Sequence, residues 1–165
     1  MNTMVTLIAR TAPLERELPM ESRPATEADI PALGKLYFNA YDPGEASESL
    51  KAAAADIDAS LAGKYGTFLP AASQVVPGRD GNIDAAILVV ERAVWDDTPE
   101  TPFIIELITD PEHRRQGLAE QLVLTCMDIL FNAGHPEVAL RVDSTNSAAL
   151  ALYLSLDFRR WSADD

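Results

Sequence analysis

The chain has one cysteine, Cys126, among its 165 residues, so no internal disulfide can form. Cys126 falls at an apolar position of a predicted helix, which is where a buried structural thiol sits rather than a nucleophile. Histidine is almost as scarce: His113 and His135 are far apart and lack metal-ligand spacing with Cys126, so no metal site is expected. Positive charge is in short supply, with 13 Lys and Arg against 26 Asp and Glu, a formal net charge of −13 and a pI of about 4.4. A surface of that sign repels nucleic acid phosphates and anionic membranes, and neither is an expected partner. No apolar run reaches the roughly 18 residues of a membrane helix, and no internal repeat is visible. The short run Met4–Ala9 lacks the charged start and cleavage pattern of a signal peptide, so the expected location is cytoplasmic.

What is present is enough apolar residue, 47%, to bury a sizeable core. Residues 1–20 read as an N-terminal arm or extra strand, and residues 21–165 as a single domain. Arg23-Pro24-Ala25-Thr26 ends a first strand, and Thr26 with Asp29 forms a capping arrangement in which Asp stands for the usual Glu or Gln. Ile30, Leu33, Leu36 and Tyr37 recur at helical spacing, and Tyr41-Asp42-Pro43-Gly44 breaks that helix. A second helix is expected over Ser47–Leu61, with Leu50, Ala53, Ala54, Ile57 and Leu61 on one face. Phe68–Val76 is ambiguous because of Pro70. Ala85–Val90 is a strand covered on both faces, and Phe103–Ile108 is the next strand. Gly117–Ala133 is the clearest helix, with Leu118, Leu122, Cys126, Ile129 and Leu130 on its core face. Val138, Leu140 and Val142 alternate as a strand, Asn146–Leu156 is a last helix, and Phe158–Trp161 is a final short strand. The order β-α-α-β-β-β-α-β-α-β is that of an α/β fold (α+β mixed).

The densest chemistry lies in His113-Arg114-Arg115-Gln116-Gly117-Leu118-Ala119, between the Phe103–Ile108 strand and the Gly117–Ala133 helix. A small-residue loop that opens a helix aims unpaired backbone N–H groups and the positive end of the helix dipole at one spot, which suits phosphate. Gly117 and Ala119 leave room for ligand oxygens to reach the backbone, and Arg114 and Arg115 add positive charge. Acids are crowded nearby: Glu91, Asp96, Asp97, Glu100, Glu106, Asp110 and Glu112 face a single Arg92 between positions 91 and 112. The run is either a solvated surface or an acidic approach that concentrates a cationic amine. Trp95 and Trp161 are expected to pack, and His113 to lie on the surface without a chemical role.

With its second block the sequence resembles a known family. Arg114, Gly117 and Ala119 are similar to the Gln/Arg-x-x-Gly-x-Gly/Ala pyrophosphate loop of the GNAT-type (GCN5-related) N-acetyltransferases, and Asn146, Ala149, Leu152 and Tyr153 to their Asn-x-x-Ala-x-x-Leu-Tyr pattern. The Arg-Pro-Ala-Thr-x-x-Asp opening from Arg23 also looks like that family's first strand and helix. The likeness is good from Arg114 to Phe158, looser from Ser22 to Val90, and absent before Glu21. It implies a GNAT-like central mixed β-sheet of about six to seven strands flanked by about four helices. Three departures stand out. Ala119 replaces the second loop glycine. Asp157 replaces the glycine before the final aromatic, so the turn after Leu156 must be built differently, an Asn-like left-handed conformation at Asp157 being one way to do so. The chain ends at Asp165 with little room for the usual last strand, so the arm Met4–Ala9 or a partner subunit is expected to cover that sheet edge.

The resemblance implies acetyl transfer from acetyl-CoA, as an acyl-CoA co-substrate and without metal, to a primary amine by direct attack. The amides of Gln116, Gly117, Leu118 and Ala119 would hold the pyrophosphate, with Arg114 or Arg115 beside it. Backbone groups of Leu107, Ile108 and Thr109 would pair with the pantetheine arm where the sheet splays, by a bulge. Asn146 would lie near the pantetheine, cap the last helix, or do both. Tyr153 matches the general acid for the leaving thiolate; an aromatic at helical spacing is otherwise core. Glu106, the only acid within an apolar strand beside the acyl site, is the candidate base, with a pKa that partial burial would raise; otherwise it faces solvent or pairs with an Arg. The alternative from another class is a catalytically silent acyl-CoA-binding sensor. A nucleotide-triphosphate loop is disfavoured, since Leu118-Ala119 stands where Lys-Ser/Thr would be. The expected partners are a small-molecule or protein amine, cationic by charge balance, and a second copy in a homodimer. Acceptor contacts are expected from Tyr37–Tyr65 and from the Trp95–Pro102 connection.

Overall fold

A computed structural model describes residues 3–41 and 47–163. Its strands are β1 (Met4–Arg10), β2 (Arg23–Pro24), β3 (Gln74–Pro77), β4 (Ile83–Val90), β5 (Phe103–Thr109), β6 (Glu137–Asp143) and β7 (Arg159–Trp161). Its helices are α1 (Ile30–Ala40), α2 (Leu50–Leu61), α3 (Leu118–Asn132) and α4 (Ser147–Ser155). The strands form one 7-stranded mixed sheet in the order β2-β3-β4-β5-β6-β1-β7. Pairing is antiparallel except between β5 and β6, which run parallel as α3 returns the chain. The expected mixed sheet flanked by helices is the architecture observed.

Alternation along β4 divides the core. Ala85, Ile87 and Val89 pack with Leu122, Val123, Cys126 and Leu130 of α3. Ala86 and Leu88 pack on the opposite face with Leu33 and Leu36 of α1 and Ile57 of α2. Burial pushes the Cys126 thiol up to about 12, so it is a neutral packing group at any ordinary pH. Helices α1 and α2 touch at Gly34, where a Cβ would come within 2.7 Å of the Ala54 backbone, so only glycine admits that approach.

The expected Thr26–Asp29 capping arrangement is present, on the 3-10 turn Glu27–Asp29 that leads into α1. Asp29 accepts hydrogen bonds from the Thr26 backbone N–H (2.8 Å) and is gripped in bidentate fashion by Arg23 (2.6 and 2.8 Å). The Arg23 guanidinium holds the Asp29 carboxyl below its ordinary value, against the cost of burial. At α2, Ser49 rather than Ser47 is the cap, accepting from the Ala52 N–H, and Leu50, expected on the buried face, is 52% exposed because it precedes the first full turn. Asp42–Gly44 of the anticipated helix break lie outside the described residues. The ambiguous Phe68–Val76 stretch resolves into a single bridge from Phe68 to Val90 and, after a turn, β3, so Pro70 is kept out of any strand.

The N-terminal segment departs from expectation in one respect. β1 covers the far edge of β6, as expected of the arm, but is not the outermost strand: it is inserted between β6 and β7, paired along Met4–Arg10 with β6 and along Thr6–Ile8 with β7. Leu7 and Ala9 are thereby buried, and the short β7 becomes the edge. Asp157, with φ of 68°, takes the left-handed turn that lets β7 follow α4. Leu7→Ala is expected to cost about 3 kcal/mol and to lower Tm by roughly 6–12 °C, whereas Phe131→Ala at a 46% exposed position changes stability by less than about 0.5 kcal/mol. Deleting residues 1–12 is expected to abolish the cooperative thermal transition; an unchanged transition would contradict the central position of β1.

Candidate active site

The site begins at a flaw in β5. Its register against β4 pairs Ile104 with Val89 and Glu106 with Leu88, so Ile105 has no opposite residue and forms a β-bulge. Two consequences follow. Strict alternation would send Glu106 to the α3 face; the extra residue instead turns it to the α1–α2 face, the side of Leu88 and Ile108. And β5 pairs with β6 only at Phe103 and Ile104, then diverges, leaving the β6-facing side of residues 105–109 without a strand partner among the described residues.

Beyond β5, Asp110-Pro111 starts a short 3-10 turn, and the chain reaches α3 through two left-handed residues, Arg115 (φ 67°) and Gly117 (φ 75°). Arg115 stores local strain, since left-handed backbone costs a side-chain-bearing residue about 1 kcal/mol or more. Gly117 is the residue at the N-cap of α3 and has no capping side chain. A Cβ there would meet nothing closer than the Gln121 side chain at 3.5 Å, so the demand for glycine comes from its φ, not from crowding by the protein. The first amides of α3 remain open to a ligand, as a phosphate site requires.

The open strand, this loop and the start of α4 border one cleft of about 720 Å³. Leu107, Ile108, Thr109, Arg114, Arg115, Gly117, Leu118, Ala119 and Asn146 all line it, and Gln116 does not. Asn146 also caps α4, its side chain accepting from the Ala149 N–H at 3.2 Å. The Arg114 guanidinium donates to the Ala40 carbonyl, tying the loop to the end of α1. Glu120, in the first turn of α3, opposes an anion here, but His113, Arg114 and Arg115 outnumber it. His113 is not a free surface group: its ring lies 2.8 Å from Asp110 and 3.6 Å from Asp84, and the hydrogen bond to Asp110 raises its pKa.

Glu106 lines a second cavity of about 230 Å³, together with Tyr37, Asp56, Ile57, Ser60, Tyr65, Trp95 and Ile105. Its Oε1 accepts a 2.8 Å hydrogen bond from Tyr41, which lines the cleft. Burial pushes the Glu106 carboxyl up to about 7, with the Tyr41 hydroxyl pulling the other way. Tyr153 is buried against Phe158, ring centroids 5.7 Å apart, and burial with the nearby Glu106 charge raises its phenol to about 12. No hydrogen bond from its hydroxyl forms among the described residues, and no unpartnered polar side-chain atom among them is sealed from solvent, so the hydroxyl reaches accessible space.

The stretches Tyr37–Tyr65 and Trp95–Pro102, expected to contact the acceptor, supply Tyr37, Asp56, Tyr65 and Trp95 of this cavity and Tyr41 beside it, though no motif in the sequence assigns any of them an individual role. Tyr37 and Tyr41 are four apart, stacked edge to face at 5.6 Å, and that spacing was the available signal for Tyr41. Trp95, expected to pack, does touch Tyr65 and Phe103 but is 38% exposed and faces the cavity. Of the seven clustered acids only Glu106 lines the cavity; Asp56, outside that run, joins it because α2 lies on the same face. Among the described residues no group of three or more His, Cys, Asp or Glu is arranged to hold a metal ion, and no helix is long and apolar enough to cross a membrane.

Comparison with known proteins gives a consistent result. The model of the Acetyltransferase (GNAT) family matches residues 67–158, more than half of the chain. Mycothiol acetyltransferase of Kocuria rhizophila is 41% identical over 68 residues, 41% of this chain but only 22% of that protein, so the match spans about a fifth of this curated relative. A GCN5-related N-acetyltransferase from Sphaerobacter thermophilus superposes with a TM-score of 0.71 at 17% identity, over 96% of this chain and 48% of that one. AAC(6')-Iy, solved with the bisubstrate analogue CoA-S-monomethyl-acetylneamine, gives a TM-score of 0.63 at 18% identity, over 86% of this chain and 92% of that one. From β4 and β5 through the loop to Phe158, the matched segment contains the bulge, the left-handed glycine and Tyr153, and the chain belongs to the Acetyltransferase (GNAT) family.

Proposed function

We propose that the chain is an acetyl-CoA-dependent N-acetyltransferase that transfers an acetyl group to a primary amine of a small molecule or protein. The observation that carries this reading is the Tyr41–Glu106 hydrogen bond: Tyr41 lines a cleft that reaches the start of α3, and Glu106 lines a separate cavity that an amine can enter. A CoA-linked analogue in the AAC(6')-Iy neighbour supports the assignment of the cleft to the co-substrate.

The donor fits the residues present. Open amides at Gly117–Ala119, with Arg114 and Arg115, would receive the pyrophosphate. The unpaired side of Leu107–Thr109 would receive the amides of the pantetheine arm as an added strand does. When bound, the co-substrate supplies an acetyl thioester beside Glu106. An alkyl ammonium, ordinarily near pKa 10.4, must lose a proton before it can attack, and Glu106 at about 7 is the nearest base. Desolvation in the aromatic cavity lowers the ammonium pKa and narrows the gap. Tyr153, near 12, stays protonated at neutral pH and donates a hydrogen bond to the sulfur as negative charge develops there. Because a thiol ionises near 8.5 and Tyr153 near 12, the tyrosine stabilises the leaving group more readily than it surrenders its proton.

Thermal unfolding with acetyl-CoA, free CoA and ATP is the direct test. Both CoA species are expected to stabilise by about 2.7 kcal/mol at 100 times their dissociation constant, and ATP not at all. No shift with either CoA species overturns the reading, and a shift without turnover of any amine favours the silent sensor. Since the carboxylate form is the base, kcat/KM is expected to rise with pH through an inflection near 7, which Glu106→Gln abolishes. The same group has a stability signature. Its folded value lies above its ordinary 4.5, so the native state holds the extra proton and loses stability as pH rises from 4.5 to about 7. Glu106→Gln should therefore melt higher than the parent at pH 8 and alike below pH 4. Tyr153→Phe is expected to lower kcat about 100-fold while leaving Tm unchanged, because the hydroxyl has no protein partner among the described residues.

A further inference from the structure

The two recesses linked by the Tyr41–Glu106 hydrogen bond are opposite in charge. The cleft carries His113, Arg114 and Arg115, whereas the cavity has no basic residue on its wall and two carboxylates, Glu106 and Asp56. Three aromatic rings, Tyr37, Tyr65 and Trp95, make up much of the remaining lining. The groups are close enough to feel one another: the Tyr37 phenol is pushed up to about 12, first by burial and then by the charges of Glu106 and Asp56.

The carboxylates are not equivalent. Glu106 is engaged by Tyr41, which lines the cleft, and is where a reacting amine hands over its proton. Asp56 comes from α2, and its side chain takes part in no hydrogen bond or ion pair among the described residues; Ser60 bonds the Asp56 backbone carbonyl instead. No cation of the chain answers the Asp56 carboxylate among the described residues, so it is available to one that enters the recess of about 230 Å³. The rings beside it already accept cations from the chain. Lys64 Nζ lies 5.3 Å from the Tyr65 centroid and the Arg141 guanidinium 5.5 Å from that of Trp95, yet neither lines the cavity. These contacts, with the 5.8 Å Tyr65–Trp95 packing, hold the rings in place before a ligand enters.

Resting on the proposed acetyl transfer, we infer that the cavity selects an acceptor with two positive charges: a reacting amine at Glu106 and a second cationic group held by Asp56 against Tyr65 and Trp95. A diamine or short polyamine has this chemistry, and so does a lysine-like amine that keeps a second ammonium. The second cation does not react. It remains charged throughout, which is why its partner is Asp56 and not the group that takes up the proton.

The test is calorimetric titration of the CoA-saturated protein with straight-chain α,ω-diamines of three to six carbons, against monoamines of the same length. At least one diamine is expected to bind about tenfold or more tightly than its monoamine. Asp56→Asn is expected to weaken diamine binding about tenfold more than monoamine binding and to leave Tm unchanged, because the carboxylate makes no hydrogen bond or ion pair among the described residues. Trp95→Leu, which retains apolar bulk, should weaken diamine binding and leave monoamines less affected. Equal binding of the two series, or an equal loss of both in Asp56→Asn, overturns the inference. Binding is read apart from turnover, so the two readings fail separately. Discrimination with no acetylated product from any amine contradicts the transferase and keeps the dication site; acetylation of all amines without discrimination does the reverse.

Discussion

One extra residue in one strand organises this molecule. The bulge at Ile105 changes the phase of β5, so that an acid which alternation would bury against α3 instead faces α1 and α2. It also bends β5 away from β6 after two paired residues, and a parallel sheet that would otherwise close is left open along residues 105–109. Unpaired backbone in a sheet is a liability unless something covers it. Here that requirement coincides with what an extended, amide-bearing arm offers, so opening the sheet and creating the cleft are a single structural event.

Around this opening the chain separates its charges. With 26 acids against 13 Lys and Arg, an anionic ligand finds few suitable surfaces on the protein, yet Arg114, Arg115 and the free amides of α3 are gathered at one end of the cleft. The opposite recess is acidic and aromatic. Glu106 lines that recess and is bonded to Tyr41 of the cleft, its carboxyl raised toward neutrality by burial, so that it is neither permanently charged nor permanently neutral near physiological pH. The left-handed Arg115 and Gly117 belong to the same arrangement: they turn the chain sharply enough for the helix start to face the cleft, and the strain at Arg115 is borne by the Arg114 anchor on α1 and the helix that follows.

Much of this was legible in the residues. Alternation and helical spacing placed β4, β5, β6, α3 and α4 within a few positions of their observed ends, because each has a strong apolar period or an unambiguous stop. Thr26 and Asp29 announced the start of α1, and Asp157 its left-handed turn. The loop residues named from the motif, apart from Gln116, lie along one cleft. What failed to show had a physical reason each time. The insertion of β1 between β6 and β7 depends on pairing with residues more than 120 positions away, and nothing local to Met4–Arg10 specifies which edge it will join. Leu50 satisfied the helical period but fell in the first turn, where the face is not yet covered. Gly117 was expected to make room for a ligand, whereas its backbone angle is the stronger demand.

The sequence by itself determined the family pattern, the mixed sheet with its flanking helices, the small-residue loop that opens α3 and the identity of the acid within β5, because these rest on short-range periodicity and on local turn chemistry. Tertiary structure alone decided that Glu106 would meet Tyr41 from the end of α1, and that Asp56 from α2, Tyr65 and Trp95 would close an acidic aromatic recess beside it. Those residues lie between 11 and 65 positions from Glu106 and on four different segments, so no spacing rule relates them. They are brought together by the phase of one bulge and by two helices packed through a glycine, and both are properties of the assembled sheet.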